Sequence, residues 1–225
     1  MSRDHLGNFM VSSNLGFARG VLLLEDCEGT FTWVDSGTGG DDVHEFATAA
    51  AFMGLQGMRL KTRTTGAAAN DYVMVSKPMG YPESGLCVAR ARIAVPALAA
   101  VGGFTLAVVA RNGTRRWQGE LVVSPNAPTV EYLNAAGAWT AVAALAYAPV
   151  VFGFVTLEVA LDLRSMEYVE GAWNGARADL AGVSMYDAAA DTARGLTLAV
   201  SVRAAGAAAA ELYADNLYVG EFLDV

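Results

Sequence analysis

Short segments that alternate apolar and polar residues follow one another along this chain from residue 20 onward, separated by Gly, Pro, Asn or Asp. In GMRLKTRTT, residues 57–65, alternation places Met58 and Leu60 on one face and Arg59 and Lys61 on the other. This period of two predicts a half-buried strand with one wet face. Ten or more such segments at close spacing predict an all-β sandwich or barrel.

The remaining segments are rich in β-branched and aromatic residues, which favour strands. We predict strands at 21–26, 57–65, 72–76, 86–95, 104–111, 117–124, 129–134, 154–163, 166–174, 196–204 and 210–220. Helical signals are short, at residues 40–54 and 184–194, and alanine propensity supports them only weakly. No linker or repeat divides the chain. The sequence therefore predicts one domain over residues 20–225, preceded by an extended N-terminal arm, residues 1–19.

Composition argues against two classes of partner. The net charge is −8, and the one close basic group, Arg111 with Arg115 and Arg116, flanks a predicted Asn112-Gly113 turn. Nucleic-acid binding needs clustered Lys and Arg along a face, so we expect no nucleic-acid partner. No stretch has 18 uninterrupted apolar residues, and the first residues lack a secretion-signal pattern. We therefore expect no membrane partner and assembly in a cytoplasm.

Three motifs stand in order along the chain: LLLEDCEGTFTWVDSG at 22–37, TLEVALDLRSMEYVEGAWNG at 156–175 and ELYADNLYVGE at 211–221. Together they resemble the jelly-roll β-sandwiches of the concanavalin A-like lectin/glucanase superfamily and related carbohydrate-binding modules. The resemblance covers roughly residues 20–222. It implies an antiparallel jelly-roll β-sandwich. Cys27 stands where that family often has an aromatic residue, which is a small departure.

The resemblance also implies a metal site. In such sandwiches the first and last strands lie close together, and several carbohydrate-binding modules carry a structural calcium ion near this place. Carboxylate and carbonyl oxygens are the ligands that calcium takes. A structural calcium would then be held by Glu25, Asp26, Asp215 and Asn216. The alternative is that Asp215-Asn216 forms a bulge or turn whose side chains satisfy local backbone groups.

Enzyme activity is not expected from the residues. Glucanases of the superfamily use paired carboxylates at E-x-D-x-E-like spacing, which alternation places on one sheet face. This sequence has no such pattern. Glu158 and Asp162 share a face but stand four residues apart, near a strand end. We therefore predict that the protein is not an enzyme.

Two tryptophans are candidates for sugar binding. Trp139 and Trp173 flank predicted turns, in AAGAWT and EGAWNG, where a side chain can be exposed. Exposed aromatic rings are platforms on which sugar rings pack, although core packing is the commoner role of tryptophan. These two residues are the predicted carbohydrate-binding residues.

Two hypotheses of function follow. The first is a structural protein that forms homo-oligomers or joins other virion proteins, as a bacteriophage capsid-decoration or tail protein within the virion. Its support is the high apolar content, 54%, with only 17% charged residues, because interface cores are depleted in charge. The phage link is by fold analogy. The alternative is a carbohydrate-binding module with a structural calcium, whose partner is a glycan.

Overall fold

The computed structural model describes residues 21–82, 84–125, 129–145, 153–188 and 191–221. Within these ranges sixteen strands form two antiparallel sheets. Sheet A contains β1 (Val21–Glu25), β3 (Val43–Ala47), β4 (Gly57–Lys61), β6 (Leu86–Ala94), β11 (Val155–Asp162), β12 (Glu167–Trp173), β13 (Ala176–Ser184) and β16 (Glu211–Glu221). Sheet B contains β2 (Val34–Gly37), β5 (Tyr72–Met79), β7 (Val101–Asn112), β8 (Arg116–Ser124), β9 (Thr129–Leu133), β10 (Trp139–Ala141), β14 (Tyr186–Ala188) and β15 (Arg194–Ala204).

The strand order is that of a jelly-roll sandwich. Sheet A runs β13-β12-β11-β6-β16-β4-β3, with β1 beside β16, and sheet B runs β10-β9-β8-β7-β15-β5-β2, with β14 beside β8. From β4 to β7 the chain crosses from one sheet to the other at every connection. The first described strand pairs with the last, and Glu25 lies opposite Leu217. The prediction of an all-β jelly-roll β-sandwich is confirmed.

The core lies between the two sheets and follows the alternation. On the central strands of sheet B, the inward side chains include Leu106, Val108, Leu198 and Val200, all of which belong to one buried cluster. Their neighbours along the strands, such as Thr105, point away from that cluster. Burial of these aliphatic side chains is the main favourable term in holding the sheets together, at about 1.5–3 kcal/mol for each one fully buried.

The two segments with a helical signal contain no α-helix in the described residues, and the first contains a single helical turn. Residues 40–54 contain strand β3 followed by one 3₁₀ turn, Thr48–Ala50, and residues 184–194 contain strand β14. Strand β3 forms because its backbone pairs with β4 and because Phe46 packs edge-on against Phe31, with ring centroids 5.1 Å apart. Two further 3₁₀ turns lie at Leu98–Ala100 and Ala143–Leu145. No helix in the described part of the chain is long and apolar enough to cross a membrane.

Strand β16 carries a β-bulge at the Asp215-Asn216 pair. Asp215 lies opposite Arg92 of β6 and Tyr218 lies opposite Arg90, so β16 has one extra residue between these pairs. Asn216 has a φ of 50°, in the left-handed region that Asn tolerates better than most residues. The bulge interpretation of this motif is confirmed. The predicted arm, residues 1–19, lies outside the described residues.

Candidate functional site

The outer face of sheet B, on the side away from the core, carries the candidate site. We call it the B face and define it by residues that point outward from three adjacent central strands: Thr105, Ala107, Val109 and Arg111 on β7; Arg116, Gln118, Glu120 and Val122 on β8; Thr197, Ala199, Ser201 and Arg203 on β15. These side chains lie in direct cross-strand rows because the three strands are in register.

Much of the B face is shielded from solvent, although it does not contact the core. Ala107, Val109, Val122 and Ala199 are buried, yet none of them belongs to the hydrophobic cluster between the sheets. Glu120 in the same region is only 8% exposed. Small side chains occupy the middle of this face, and longer ones surround them. We call this shielded middle of the B face the depression.

Fixed polar groups line the depression. The Gln118 side-chain amide donates a hydrogen bond to the Glu120 carboxylate, and the hydroxyl oxygens of Thr105 and Ser201 are 2.8 Å apart. Burial raises the pKa of Glu120, while hydrogen bonds from Gln118 and Thr105 and the charge of Arg203 act in the opposite direction. The face thus offers carboxylate, amide, hydroxyl and guanidinium groups within a few strand spacings.

Glu120 is held in place from across the core. Tyr168 on β12 of sheet A extends its hydroxyl to sheet B, where it accepts a hydrogen bond from the Glu120 backbone N–H at 2.8 Å. The same hydroxyl donates to the Leu133 carbonyl at 2.9 Å. The Tyr168 side chain is almost completely buried. This link fixes the backbone from which the Glu120 side chain leaves.

Two exposed aromatic side chains flank the B face. Trp139 on β10 is 40% exposed and lies opposite Leu133, a buried residue outside the core cluster. Tyr72 on β5 is 36% exposed and lies opposite Arg203. The central depression therefore lies between two exposed aromatic rings, one on the edge strand β10 and one on β5 at the other side, and each ring can pack against a flat apolar surface of a ligand.

The prediction that Trp173 is an exposed binding residue is wrong. Trp173 is 6% exposed, belongs to the core cluster and lies beside Phe104, with ring centroids 6.0 Å apart. It ends strand β12 opposite Leu157, an inward-facing residue of β11. That register turns the indole into the core, although a turn follows directly.

The predicted metal ligands lie on either side of the point where β1 ends, with Glu25 opposite Leu217 of β16. Glu25 accepts hydrogen bonds from the Cys27 N–H at 3.1 Å and from the Trp33 indole at 3.0 Å. Lys77 lies 3.6 Å from the same carboxylate. Asp26 accepts a hydrogen bond from the backbone N–H of Glu28 at 3.3 Å. Both carboxylates are thus engaged with local N–H groups.

Asp215 acts in the same way from the other strand. One carboxylate oxygen accepts the N–H groups of Phe52 and Met53 at 2.8 and 3.0 Å, and the other accepts that of Asn216 at 2.6 Å. Burial raises the pKa of Asp215 despite these bonds. The carboxylate therefore anchors the loop before β4 to the bulge of β16.

These residues do not fit a cation site as they stand, because N–H groups occupy the directions from which the carboxylates would bind a metal. Within the described ranges no three His, Cys, Asp or Glu side chains are grouped as metal ligands. The Cys27 thiol lies among these acids, and burial together with Asp215 and Glu25 raises its pKa, so it stays protonated. The structural calcium remains a prediction.

Sequence reasoning missed the polar residues of the B face. The signal was present in WQGELVVS, residues 117–124, where Gln118 and Glu120 alternate with Trp117, Gly119 and Leu121. Two adjacent polar positions on one face of a strand are common on wet surfaces. What makes these two notable is that the strand is central and its outer face is shielded, which the alternation does not reveal.

No protein-family model and no curated protein matches this chain. Solved structures with the same fold include an endo-β-1,4-glucuronan lyase from the fungus Trichoderma reesei, with a TM-score of 0.63 and 9% identity over 91% of this chain and 96% of that one. The cellulose-induced protein Cip1 has a TM-score of 0.59 and 13% identity over 88% and 96%. A carbohydrate esterase of the Shiga toxin-encoding bacteriophage phi24B has a TM-score of 0.52 and 15% identity over 92% and 99%.

The prediction that the protein is not an enzyme is corrected by these comparisons. The fold is shared with a lyase and an esterase, so the missing paired-carboxylate pattern is no ground for excluding enzyme activity. At these identities the likeness shows the fold alone and assigns no reaction. It confirms the resemblance to concanavalin A-like and related carbohydrate-binding sandwiches at the level of the fold.

Proposed function

We propose that the protein binds carbohydrate on the B face. One observation carries the proposal: a shielded outer sheet face holds a preformed set of polar side chains, with Glu120 bound to Gln118 and Thr105 beside Ser201. Ligand sites combine a concave surface with a few fixed polar groups that orient the ligand. Sugars carry many hydroxyl groups, which such groups can pair with.

The aromatic residues beside the depression support the same proposal. The indole of Trp139 is exposed on β10, and a sugar ring presents an apolar face that packs well on an indole. Further support comes from two proteins with this fold, a glucuronan lyase and a carbohydrate esterase, both of which act on carbohydrates.

The test is binding to a panel of immobilised polysaccharides, followed by titration of the best ligand. Trp139→Ala should weaken that binding about tenfold or more, equivalent to about 1.4 kcal/mol. Phe52→Ala is the matched control, because Phe52 is 38% exposed but lies on the loop before β4 of sheet A. Failure of the wild-type chain to bind any polysaccharide, or equal binding by Trp139→Ala and wild type, would contradict the proposal.

A structural role in a virion is a second proposal, in which the protein assembles in the host cytoplasm with copies of itself or other virion proteins. The observation in its favour is apolar exposure on and near sheet A: Val21, Leu24, Phe52 and Leu55 are large side chains in contact with solvent. Such exposure is typical of surfaces buried by partners. Light scattering during size exclusion tests it: a stable trimer or larger assembly is expected, and a monomer at micromolar concentration would contradict self-assembly.

A further inference from the structure

Two of the three arginines of the B face differ in their ion pairing from most arginines in the described residues. Most of those arginines pair with a carboxylate at 3.0 Å or less, for example Arg63 with Asp71 and Arg115 with Asp187. On the B face, Arg111 pairs with Asp191 at 2.8 Å and also donates to Thr197. These pairs neutralise each other and leave little charge for a ligand.

Arg203 and Arg116 have no such partner. Neither guanidinium has a carboxylate within 4.0 Å among the residues that the structure describes. Arg203 is exposed. The Nε atom of Arg116 is buried and has no hydrogen-bond partner within those same ranges. A buried N–H donor without a partner is costly.

Two nearby acids offset these charges only in part. Glu120 interacts with Arg203 electrostatically and accepts a hydrogen bond from the neutral amide of Gln118. Asp191 interacts with Arg116 but is bonded to Arg111 at 2.8 Å. In a chain of net charge −8, the B face thus keeps two available positive groups.

The two arginines stand at opposite ends of the depression. Arg203 lies across from Gly103 and Arg116 lies across from Arg111, on the same strand, β7. Eight residues at about 3.3 Å each separate these positions, so the two sites lie roughly 26 Å apart along the strand. Glu120, Thr105 and Ser201 lie between them. A ligand that reaches both arginines must therefore extend over several sugar rings.

We propose that the ligand of the B face is an anionic polysaccharide, whose carboxylate or sulfate groups bind Arg203 and Arg116. The planar guanidinium offers two parallel N–H groups, which match the two oxygens of a carboxylate or sulfate group. The hydroxyl and amide groups between the arginines contact the sugar hydroxyls. This inference rests on the proposed function, because it names the ligand class of the same site.

The test uses two matched pairs of polymers: a polyuronate against the same polymer after reduction of its carboxyl groups, and dextran sulfate against dextran. Binding is measured by calorimetry or affinity electrophoresis at two salt concentrations. We expect the charged member of at least one pair to bind about tenfold or more tightly than its neutral partner, with weaker binding at higher salt. Whichever pair shows the difference identifies carboxylate or sulfate as the anion.

The variants Arg203→Gln and Arg116→Gln should each reduce binding of the charged polymer about fivefold or more and reduce binding of the neutral polymer by a clearly smaller factor. Lys61→Gln on β4 of sheet A is the control, since it removes the same charge from the other sheet. Thermal melting of each variant confirms that it is folded. If Lys61→Gln has the same effect as the two arginine variants, the attraction is non-specific and the inference is wrong.

Two outcomes separate this inference from the proposed function. Equal binding of charged and neutral polymers, with loss of both in Trp139→Ala, would overturn the anionic ligand class and leave carbohydrate binding on the B face intact. Absence of binding to every polymer, charged or neutral, would overturn both.

Discussion

Removing one hydroxyl group, in Tyr168→Phe, tests whether the two sheets and the candidate site are linked as described. The Tyr168 hydroxyl crosses the core from β12. It accepts from the Glu120 N–H at 2.8 Å and donates to the Leu133 carbonyl at 2.9 Å, and the Glu120 carbonyl is a longer alternative acceptor at 3.2 Å. The pairing of β8 with β9 reaches Leu121 and Tyr132, next to these groups. The hydroxyl thus takes the place of a direct bond where the two strands separate.

The cost of Tyr168→Phe follows from what the hydroxyl leaves behind. The ring stays, so the apolar packing changes little, but two buried backbone groups lose a partner. Each unsatisfied buried group costs about 1–3 kcal/mol. If β8 and β9 move closer together, the Glu120 N–H can donate directly to the Leu133 carbonyl, which recovers part of the lost free energy. We expect a loss of about 2–4 kcal/mol in the free energy of unfolding.

Urea unfolding followed by tryptophan fluorescence measures this loss, and a thermal melt should show a decrease of roughly 5–12 °C for a domain of this size. Tyr132→Phe is the control. Its ring packs against that of Tyr168 at 5.6 Å, and its hydroxyl bonds to no residue in the described ranges. We expect the control to change stability by less than about 0.5 kcal/mol. A similarly small change in Tyr168→Phe would refute the proposed link.

Four further predictions concern stability. Glu158→Gln should cost about 3 kcal/mol in urea unfolding, because it removes the carboxylate charge that pairs with Arg90 at 2.7 Å in a buried ion pair. A loss below about 1 kcal/mol would show that water already screens the pair. Gly57→Ala should lower the free energy of unfolding by at least about 1 kcal/mol, because the new Cβ would lie 1.9 Å from the Ala50 carbonyl oxygen. Unchanged stability would mean that the backbone shifts freely. A chelator should leave the melting temperature unchanged relative to calcium buffer, since the predicted ligands are already bonded to N–H groups, whereas a clear rise with calcium would restore the cation hypothesis. Asp215→Asn should gain stability relative to wild type as the pH rises above the ordinary pKa of Asp, because burial raises the pKa of Asp215 in the folded protein and wild type loses stability between its unfolded and folded pKa. A difference in stability between variant and wild type that does not change with pH between about 4 and 7 would contradict the raised pKa.

Much of the secondary structure was predictable from alternation. Each of the eleven predicted strands is present, and the bulge in β16 coincides with the Asp215-Asn216 break in the pattern. The missed strands β2, β3, β10, β13 and β14 are mostly short or lie at sheet edges. Their residues, such as VDSG at 34–37, favour turns by themselves. They become strands because a neighbouring strand supplies hydrogen bonds, which local sequence does not record.

The two tryptophans show why the site was harder to predict. Trp139 and Trp173 occur in similar contexts beside turns, yet one is exposed and the other is in the core. The difference arises from the residues with which each tryptophan pairs. Trp139, on the edge strand β10, lies opposite Leu133, whereas Trp173 lies opposite Leu157, whose side chain faces the core. Alternation tells which residues share a face, but the identity of the buried face depends on the other sheet.

By itself the sequence determined that this chain is an all-β protein, because a period of two is a property of each segment and needs no knowledge of its neighbours. The close approach of the first and last sequence motifs, residues 22–37 and 211–221, was also predictable, through the resemblance to lectin-like sandwiches. Only the tertiary structure decided the candidate site. Glu120 on β8 and Ser201 on β15 lie on one face because both strands pair with β7 in a particular register. Register and strand order arise from contacts between distant segments, and a shift of one residue would turn either side chain into the core.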